Sequence, residues 1–342
     1  MPPPSTNPAP TLATSLAGLA LPNPVLLAAG TAGTLDELSD VLDLSRIGAV
    51  VTKSITQQPR DGNNTWRILE SRSGGGGMLN AIGLANIGID RFVADVAPRI
   101  PFVTTRVIAS IAGFSIDGYI AVAAQMDEID GIDAVEINVS CPNVHGGVEF
   151  GSDPKLLAEL VTALRPVLSR TRMLIKLSPV SCGPVTLAEI ARAAIEPGSR
   201  LSSGGGPGAP GGPNGRPGAD ALCIANTTPA MAIDVRTRRP RLSNITGGLS
   251  GPAIHPIAVK LVHDVHRAVA KATATPIVGI GGVLHWEDAA EFILAGATAV
   301  EMGTALFADP RSPLKVIRGL EKWVAAQGVA SIADLVGAVK LD

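Results

Sequence analysis

Short apolar runs alternate along the chain with longer segments in which apolar residues recur at helical spacing. The short runs are rich in Ala, Val, Ile and Leu and are continuous, a pattern typical of parallel strands buried on both faces. We predict eight strands, at Pro24–Gly30, Gly48–Ile55, Arg106–Ala112, Ala134–Cys141, Met173–Pro179, Ala219–Thr227, Thr275–Val283 and Ala299–Leu306.

The segments between these strands have the spacing of amphipathic helices. In Pro154–Leu168, for example, Leu157, Leu160 and Leu164 fall on one helical face, and Ile257–Ala272 has a similar pattern. Parallel strands need crossover connections, which helices usually supply. The pattern therefore predicts an α/β fold, and the count of eight favours a single (β/α)8 TIM barrel over an open doubly wound sheet.

Three segments interrupt this alternation. The first 15 residues are rich in proline and uncharged, so we expect a flexible tail at 1–15 and a single barrel domain over 16–342. Residues 197–218 are almost wholly Gly, Pro and Ser, a composition that predicts a disordered insertion. Residues 227–251 form a long segment after the sixth strand, where barrel enzymes place functional loops.

Composition and charge exclude several classes of protein. The 342 residues contain 28 Lys and Arg against 30 Asp and Glu, a net charge of -2, which makes nucleic acid an unfavoured partner. No charged residue precedes Asp36 and the first basic one is Arg46, unlike a secretory or transit signal. Pro22 and Pro24 interrupt the one apolar stretch long enough to resemble a membrane span. We therefore expect a soluble, cytoplasmic protein with no membrane partner.

The three cysteines, Cys141, Cys182 and Cys223, are widely spaced, and no pair has C-x-x-C spacing. The chain is therefore not expected to hold zinc or an iron–sulfur cluster by itself, and we predict no metal site.

Polar residues follow the predicted strands at the ends that converge on one face of a barrel. Lys53 ends the second strand, Asn138 and Ser140 the fourth, and Asn226 the sixth. Strand alternation puts Asn138 and Ser140 on one face and Val139 on the other. The convergence of these groups predicts an active site at this end of the barrel.

Glycines after the last two strands form a candidate phosphate site. Gly281 and Gly282 follow the seventh strand, and Gly303 with Thr304 follows the eighth, where barrels commonly bind phosphate through bare backbone N–H groups. A tight turn alone would also explain the Gly-Ile-Gly-Gly string. The pairing of the two glycine sites favours phosphate.

Lys176 lies within an apolar strand, and burial of an unpaired ammonium is unfavourable. Two explanations remain open at this point. Lys176 could form a structural ion pair with Glu136, or it could face an anionic ligand such as a reduced flavin ring.

Several longer strings resemble the family 1 dihydroorotate dehydrogenases, in register over roughly residues 16–342. Asn138-Val139-Ser140-Cys141-Pro142-Asn143 is similar to the catalytic loop of that family, and the resemblance continues in Asn80–Leu84, Asn226–Thr227 and Asn244–Pro252. The last string resembles subclass B, whose catalytic subunit works with an iron–sulfur flavoprotein.

The resemblance implies an FMN-dependent oxidoreductase of pyrimidine biosynthesis that oxidises dihydroorotate to orotate. Cys141 would be the base that removes a proton from dihydroorotate. The substrate would be bound by Lys53, Asn80, Ala81, Ile82, Gly83, Leu84, Asn138, Asn143, Asn226 and Thr227. FMN would be contacted by Ala29, Lys53, Ser54, Ser110, Asn138, Lys176, Ala225, Gly251, Gly281, Gly282, Gly303 and Thr304.

Ala29 and Ser110 depart from the family pattern, because Ser and Asn are common at these two positions; each change removes or shortens a polar contact to the cofactor. The resemblance also implies an electron-transfer subunit carrying FAD and a 2Fe–2S cluster, with NAD as acceptor, and a homodimer of this chain within a heterotetramer. The alternatives are a fumarate-linked subclass A enzyme, a dihydropyrimidine dehydrogenase, and a non-enzymatic barrel that binds a phosphorylated metabolite.

Overall fold

Eight parallel strands form a closed barrel in this computed structural model, which describes residues 11–70, 76–140, 150–179, 185–198 and 212–341. In chain order the strands are β1 (Thr14–Leu16), β2 (Leu19–Leu21), β3 (Val25–Leu27), β4 (Ala49–Val51), β5 (Ile68–Glu70), β6 (Met78–Asn80), β7 (Arg106–Ala112), β8 (Ile132–Asn138), β9 (Arg172–Leu177), β10 (Ala221–Ile224), β11 (Thr228–Met231), β12 (Ile233–Asp234), β13 (Arg239–Pro240), β14 (Thr246–Ser250), β15 (Ile277–Ile280) and β16 (Ala299–Met302).

The barrel consists of β3, β4, β7, β8, β9, β10, β15 and β16, which pair in parallel in that order, and β16 closes the ring by pairing with β3. These are the eight strands predicted from the apolar runs, and the predicted (β/α)8 barrel is confirmed. The strands are shorter than the runs mainly because the residues beyond the carboxyl ends belong to loops.

Helices cover the outside of the barrel. They are α1 (Ile89–Arg91), α2 (Ile116–Glu128), α3 (Pro154–Leu164), α4 (Leu187–Ile195), α5 (His255–Val265), α6 (Trp286–Ala295), α7 (Ala305–Ala308) and α8 (Ser312–Gln327). Shorter 3-10 turns lie at Leu44–Arg46, Ala97–Phe102, Phe150–Ser152, Pro252–Ile254 and Ile332–Leu335, and π-helical turns at Phe92–Val96 and His266–Ala270.

Local sequence sets the start of these helices. Asp153 accepts hydrogen bonds from the N–H groups of Lys155 and Leu156, and Pro154 occupies the first turn of α3, where no N–H is needed. Thr186 and Glu189 form a capping box at the start of α4. No helix in the described part of the chain is long and apolar enough to cross a membrane.

The inward and outward faces of the strands form two separate apolar layers. Inward residues such as Leu26, Ile108 and Leu174 fill the barrel, while outward residues such as Ile137 and Ile175 pack against the helices. The β1–β2 hairpin adds Leu16, Leu19 and Leu21 to the inward layer. This hairpin therefore closes the amino-terminal end of the barrel and leaves the carboxyl end open for the site.

A four-stranded antiparallel sheet, in the order β11-β14-β6-β5, lies over that open end. It was not predicted. Residues 227–251, expected to be a long loop, contain β11 and β14 together with the small β12–β13 hairpin. These strands are short and rich in Gly and polar residues, so their sequence lacks the apolar pattern of a buried strand.

The two segments expected to be irregular are only partly described. In the predicted tail, residues 1–10 lie outside the described ranges, whereas Thr11 bridges to Ser331 and Leu12 is buried. In the predicted insertion, residues 199–211 lie outside them. Its described end is packed, because Arg216 donates hydrogen bonds to the Thr273 and Ala274 carbonyls and to the Thr275 hydroxyl.

Candidate active site

A cavity of about 1030 Å³ opens between the carboxyl ends of the barrel strands and the antiparallel sheet. It brings together every described residue predicted for substrate or cofactor binding except Ser110. The members are Ala29, Lys53, Ser54, Asn80, Ala81, Ile82, Gly83, Leu84, Asn138, Lys176, Ala225, Asn226, Thr227, Gly251, Gly281, Gly282, Gly303 and Thr304. Cys141 and Asn143 lie outside the described residues, as does Cys182.

Asparagine side chains at the ends of β8 and β10 form a connected polar network. The Asn226 amide donates to Asn138 Oδ1 over 3.1 Å and to Ser140 Oγ over 3.0 Å, and the Asn226 Oδ1 accepts from the Thr227 N–H. Asn138 Oδ1 also accepts from the Ser140 N–H. Because these bonds fix both amide planes, the site is held ready to donate to and accept from an amide-like ligand.

The predicted side-chain alternation after β8 is confirmed. Asn138 and Ser140 line the cavity, while Val139 is fully buried in the outer apolar layer. The Tyr119 hydroxyl donates to the Asn138 carbonyl over 2.6 Å, so helix α2 anchors the end of this strand.

Among the described residues, Lys53 is a cation at the cavity wall that has no anionic partner. No other described residue lies within hydrogen-bonding or ion-pairing distance of its ammonium, although its backbone N–H donates to the Thr34 carbonyl. Burial, and to a smaller degree the Arg67 guanidinium, lowers the pKa of Lys53. A carboxylate or phosphate bound beside this ammonium would reverse that shift, so Lys53 is suited to an anionic ligand.

Lys176 sits on β9 between two buried carboxylates. Its Nζ lies 3.3 Å from Glu136 Oε2 and 3.1 Å from Glu301 Oε2. Burial lowers the pKa of Lys176, but the charges of Glu136 and Glu301 outweigh burial and raise it. The structural ion pair to Glu136 therefore exists, and Lys176 also lines the cavity. The two explanations left open by the sequence are compatible.

The carboxylates lie on the inward faces of β8 and β16, next to Cys223 on β10. One ligand atom from each of Glu136, Glu301 and Cys223 falls within 4.8 Å of the others. Burial, reinforced by the two carboxylates, raises the pKa of the Cys223 thiol well above its usual range. Cys223 is therefore a neutral buried thiol.

Glycines form one wall of the cavity at the ends of β14, β15 and β16. Gly282 has a φ of +68°, and a Cβ there would lie 2.8 Å from the Gly251 carbonyl oxygen. Glycine adopts this conformation without strain, and only a residue without a Cβ permits this close approach. Together with Gly281, Gly303 and Thr304, the two residues make a backbone-lined cradle in which N–H groups are accessible to an anion.

Ser110, which is predicted to contact FMN, does not line the cavity. It is fully buried on β7, where its hydroxyl hydrogen-bonds Ser54 at 2.8 Å and donates to Glu136 over 3.1 Å. Serine is shorter than the asparagine common at this position, so it reaches Ser54 rather than the cavity. Ala29 does line the cavity but contributes no polar side-chain atom.

Sequence reasoning missed two parts of the cavity wall. Glu301 is inward-facing on β16, two residues from Ala299 and two from Gly303, so strand alternation could have identified it. Arg60 and Phe114 also line the wall, and the Arg60 guanidinium stacks 4.6 Å from the Phe114 ring centroid. They come from loops without a regular pattern, and the sequence carries no signal that would pair them.

Comparison with known proteins gives full-length matches. The family profile described as "Dihydroorotate dehydrogenase" matches residues 11–196 and 214–324. The chain is 43% identical over 332 residues to the protein named "Dihydroorotate dehydrogenase B (NAD(+)), catalytic subunit" from Trichlorobacter lovleyi, covering 97% of this chain and 99% of the relative. The protein of the same name from Geobacter sulfurreducens is 42% identical over 333 residues, with the same two coverages.

A third relative carries a different subclass name. The protein named "Putative dihydroorotate dehydrogenase A (fumarate)" from Solibacter usitatus is 43% identical over 333 residues, covering 97% of this chain and 99% of the relative. The gap between the two matched ranges, 197–213, falls on the predicted insertion.

Proposed function

Because this chain belongs to the dihydroorotate dehydrogenase family, we propose that it oxidises dihydroorotate to orotate in pyrimidine biosynthesis, with FMN bound in the cavity. The observation that carries the proposal is the convergence of Lys53, Lys176 and the asparagine network on one cavity at the carboxyl end of a barrel. These residues come from separate strands, and all of them line the same cavity.

The cavity fits FMN together with a small substrate. Its volume of about 1030 Å³ is at the upper end of the range for ligand sites. The cradle of Gly251, Gly281, Gly282, Gly303 and Thr304 would hold the phosphate, and Lys176 would lie beside the ring. When bound, FMN supplies a two-electron acceptor for hydride.

The rest of the chemistry belongs to the residues of this chain. Lys53 would pair with the substrate carboxylate, which satisfies its unpartnered ammonium. Asn138 and Asn226 would present amide donors and acceptors to the pyrimidine ring, and Asn80 is held toward them by its hydrogen bond to the Gly248 carbonyl. A dihydropyrimidine without a carboxylate would leave Lys53 unpaired, so the structure favours dihydroorotate.

Cys141 is the proposed base, on the strength of the family resemblance. Its thiolate would accept the proton that leaves C5 as hydride leaves C6 for the flavin. Lys176 would meanwhile stabilise the charge that the ring gains on reduction, because it is a cation held rigidly in a low-dielectric interior.

We further propose the subclass B arrangement, in which electrons pass to a subunit carrying FAD and a 2Fe–2S cluster and then to NAD. Two of the relatives are named as catalytic subunits, which implies a partner in those proteins. A homodimer of this chain within a heterotetramer is part of the same proposal. The fumarate-linked subclass A is the second candidate, because a relative bearing that name is equally similar.

A visible spectrum tests the enzymatic proposal. The purified chain should be yellow, release FMN on denaturation, and bleach when dihydroorotate is added without oxygen. Cys141→Ser should stay yellow but bleach far more slowly at neutral pH and recover in part as pH rises, because a hydroxyl is a much weaker acid than a thiol of pKa about 8.5. A colourless chain would contradict the proposal that it binds FMN. Rapid bleaching of Cys141→Ala by dihydroorotate at neutral pH would contradict the proposal that Cys141 is the base.

A further inference from the structure

The barrel interior holds a buried charge cluster that the proposed reaction uses only in part. We define the Lys176 cluster as Lys176, Glu136, Glu301 and Cys223, which come from four different strands and point inward. Glu136 and Glu301 both contact the one ammonium. If both carboxylates were ionised, the cluster would carry a net negative charge beside the cavity.

The two carboxylates differ in how they are satisfied. Glu136 is fully buried and accepts from the Ser110 hydroxyl as well as from Lys176, so its negative charge is well supported. Glu301 is 1% exposed and accepts from Lys176 through Oε2, but its Oε1 has no hydrogen-bonding partner in the described part of the protein. Glu301 lines the cavity, whereas Glu136 does not belong to the cavity wall.

A buried carboxylate oxygen without a donor is more costly when ionised than when it carries a proton, and the neighbouring Glu136 carboxylate can accept a hydrogen bond from that proton. Burial and then the adjacent Glu136 charge raise the pKa of Glu301 to about 8, against the pull of Lys176. The other groups facing Glu301 do not offset this. Cys223 is neutral, and the inward residues of the two strands that pair with β16 are apolar, Leu26 on β3 and Val278 on β15.

We propose that Glu301 is a positioning residue that sets the charge of the Lys176 cluster and takes up a proton when the flavin in the cavity is reduced. The inference rests on the proposed function, since it needs FMN beside Lys176. With FMN bound, hydride from the substrate would add one negative charge to the ring, and at a pH where Glu301 is ionised one proton from solvent would enter through the cavity and bind the Glu301 carboxylate. The net charge of the interior is then unchanged by reduction.

The proposal predicts how the number of protons taken up on flavin reduction depends on pH. Below about pH 8 Glu301 already holds its proton in the oxidised state, so reduction adds none. Above that pH Glu301 is ionised until the extra charge on the ring draws a proton to it. One additional proton per two electrons steepens the change of flavin potential with pH by about 30 mV per pH unit.

The experiment is a spectroelectrochemical titration of the FMN-loaded chain from about pH 6 to about pH 10, a range that brackets the raised pKa of Glu301 of about 8. In the natural chain the slope should steepen above about pH 8 from about 30 to about 60 mV per pH unit. Glu301→Gln should keep the shallow slope throughout. The matched variant Glu136→Gln should keep the break but move it to lower pH, because loss of the Glu136 charge lowers the pKa of Glu301.

An infrared difference spectrum of the natural chain gives a second readout that needs no variant. Reduction above pH 8 should produce the C=O band of a protonated carboxylic acid, and its absence would overturn the proposal. An identical break in Glu301→Gln and the natural chain would overturn it as well. If the chain binds FMN and is bleached by dihydroorotate, a missing C=O band or an identical break contradicts only the Glu301 inference. If the chain binds no flavin, the proposed function is contradicted as well.

Discussion

Single residues in the barrel interior serve both stability and chemistry, and Lys176 is the clearest case. Its side chain is 8% exposed and joins two carboxylates from strands far apart in sequence. The ion pairs hold β8, β9 and β16 together, while the face toward the cavity remains available to a ligand. A residue of this kind cannot be assigned to structure or function alone.

Replacement of Lys176 by Met separates these roles. We expect Lys176→Met to lower the free energy of unfolding at neutral pH by about 3–5 kcal/mol, because the buried Glu136 carboxylate loses its counter-charge. FMN retention should weaken and the flavin potential should become more negative. Denaturant unfolding and potentiometry check the two effects.

Two further variants serve as controls for this prediction. Lys176→Met combined with Glu136→Gln should regain part of the lost stability, since it removes the carboxylate that was left without a counter-charge. Lys322→Met, on the exposed face of α8, should change neither quantity. Unchanged FMN affinity and potential in Lys176→Met would reduce Lys176 to a structural ion-pair partner.

At the scale of elements, the sequence specifies the barrel far better than the sheet above it. Barrel strands such as β9 are buried on both faces and leave continuous apolar runs, and their helices carry clear caps such as Asp153. The β6 and β14 strands leave no such pattern. They pair across a long stretch of chain, with Asn80 opposite Gly248, and one face lines the cavity. Their polar and glycine content serves that cavity, so propensity does not predict them.

The same contrast explains which site residues could be predicted. Lys53, Asn138 and Asn226 follow buried strands directly, so strand ends locate them. The ion-pair partners of Lys176 could not be predicted in the same way. They depend on the order of the strands in the closed ring and on which inward side chains lie at the same height along the barrel axis. Glu301 belongs to the last strand, and its contact with Lys176 on β9 appears only once the ring is closed.

The insertion between α4 and β10 is an element that the reaction should not need. Its described end lies at the amino-terminal side of the barrel, because Asn214 donates to the Ala17 carbonyl in the turn of the closing hairpin. Replacement of residues 199–211 by a short Gly/Ser linker should leave kcat and KM for dihydroorotate unchanged. Halving a flexible loop changes its closure free energy by only about 0.6 kcal/mol.

Arg216→Met, in the chain of natural length, is the matched control for this deletion. It removes the hydrogen bonds to the Thr273, Ala274 and Thr275 groups and should lower the free energy of unfolding by about 1–3 kcal/mol while kcat is retained. A large fall in kcat after the linker replacement, with the fold intact by circular dichroism, would mean that the segment reaches a partner or the site.

At the scale of the whole molecule, the described chain forms one barrel, and the predicted site residues line a cavity of about 1030 Å³ at its carboxyl end. Its three cysteines are too widely spaced to form a cluster motif, and the Gly-Ile-Gly-Gly string follows a late barrel strand rather than opening a dinucleotide-binding unit. In the proposed function, the residues around the cavity serve hydride removal from the substrate. They do not account for reduction of NAD.

Electron acceptors therefore distinguish the two subclasses. With dihydroorotate in the absence of oxygen, the purified chain should reduce an artificial dye but form negligible NADH, and addition of a subunit carrying FAD and a 2Fe–2S cluster should restore NADH formation. The subclass names of the relatives do not settle the matter, since two that differ in subclass are both 43% identical to this chain. Fumarate is the decisive second acceptor. Efficient fumarate turnover by the chain alone would assign it to subclass A. Rapid NADH formation by the chain alone would refute the two-subunit arrangement, because the hydride would then need no second protein to reach NAD.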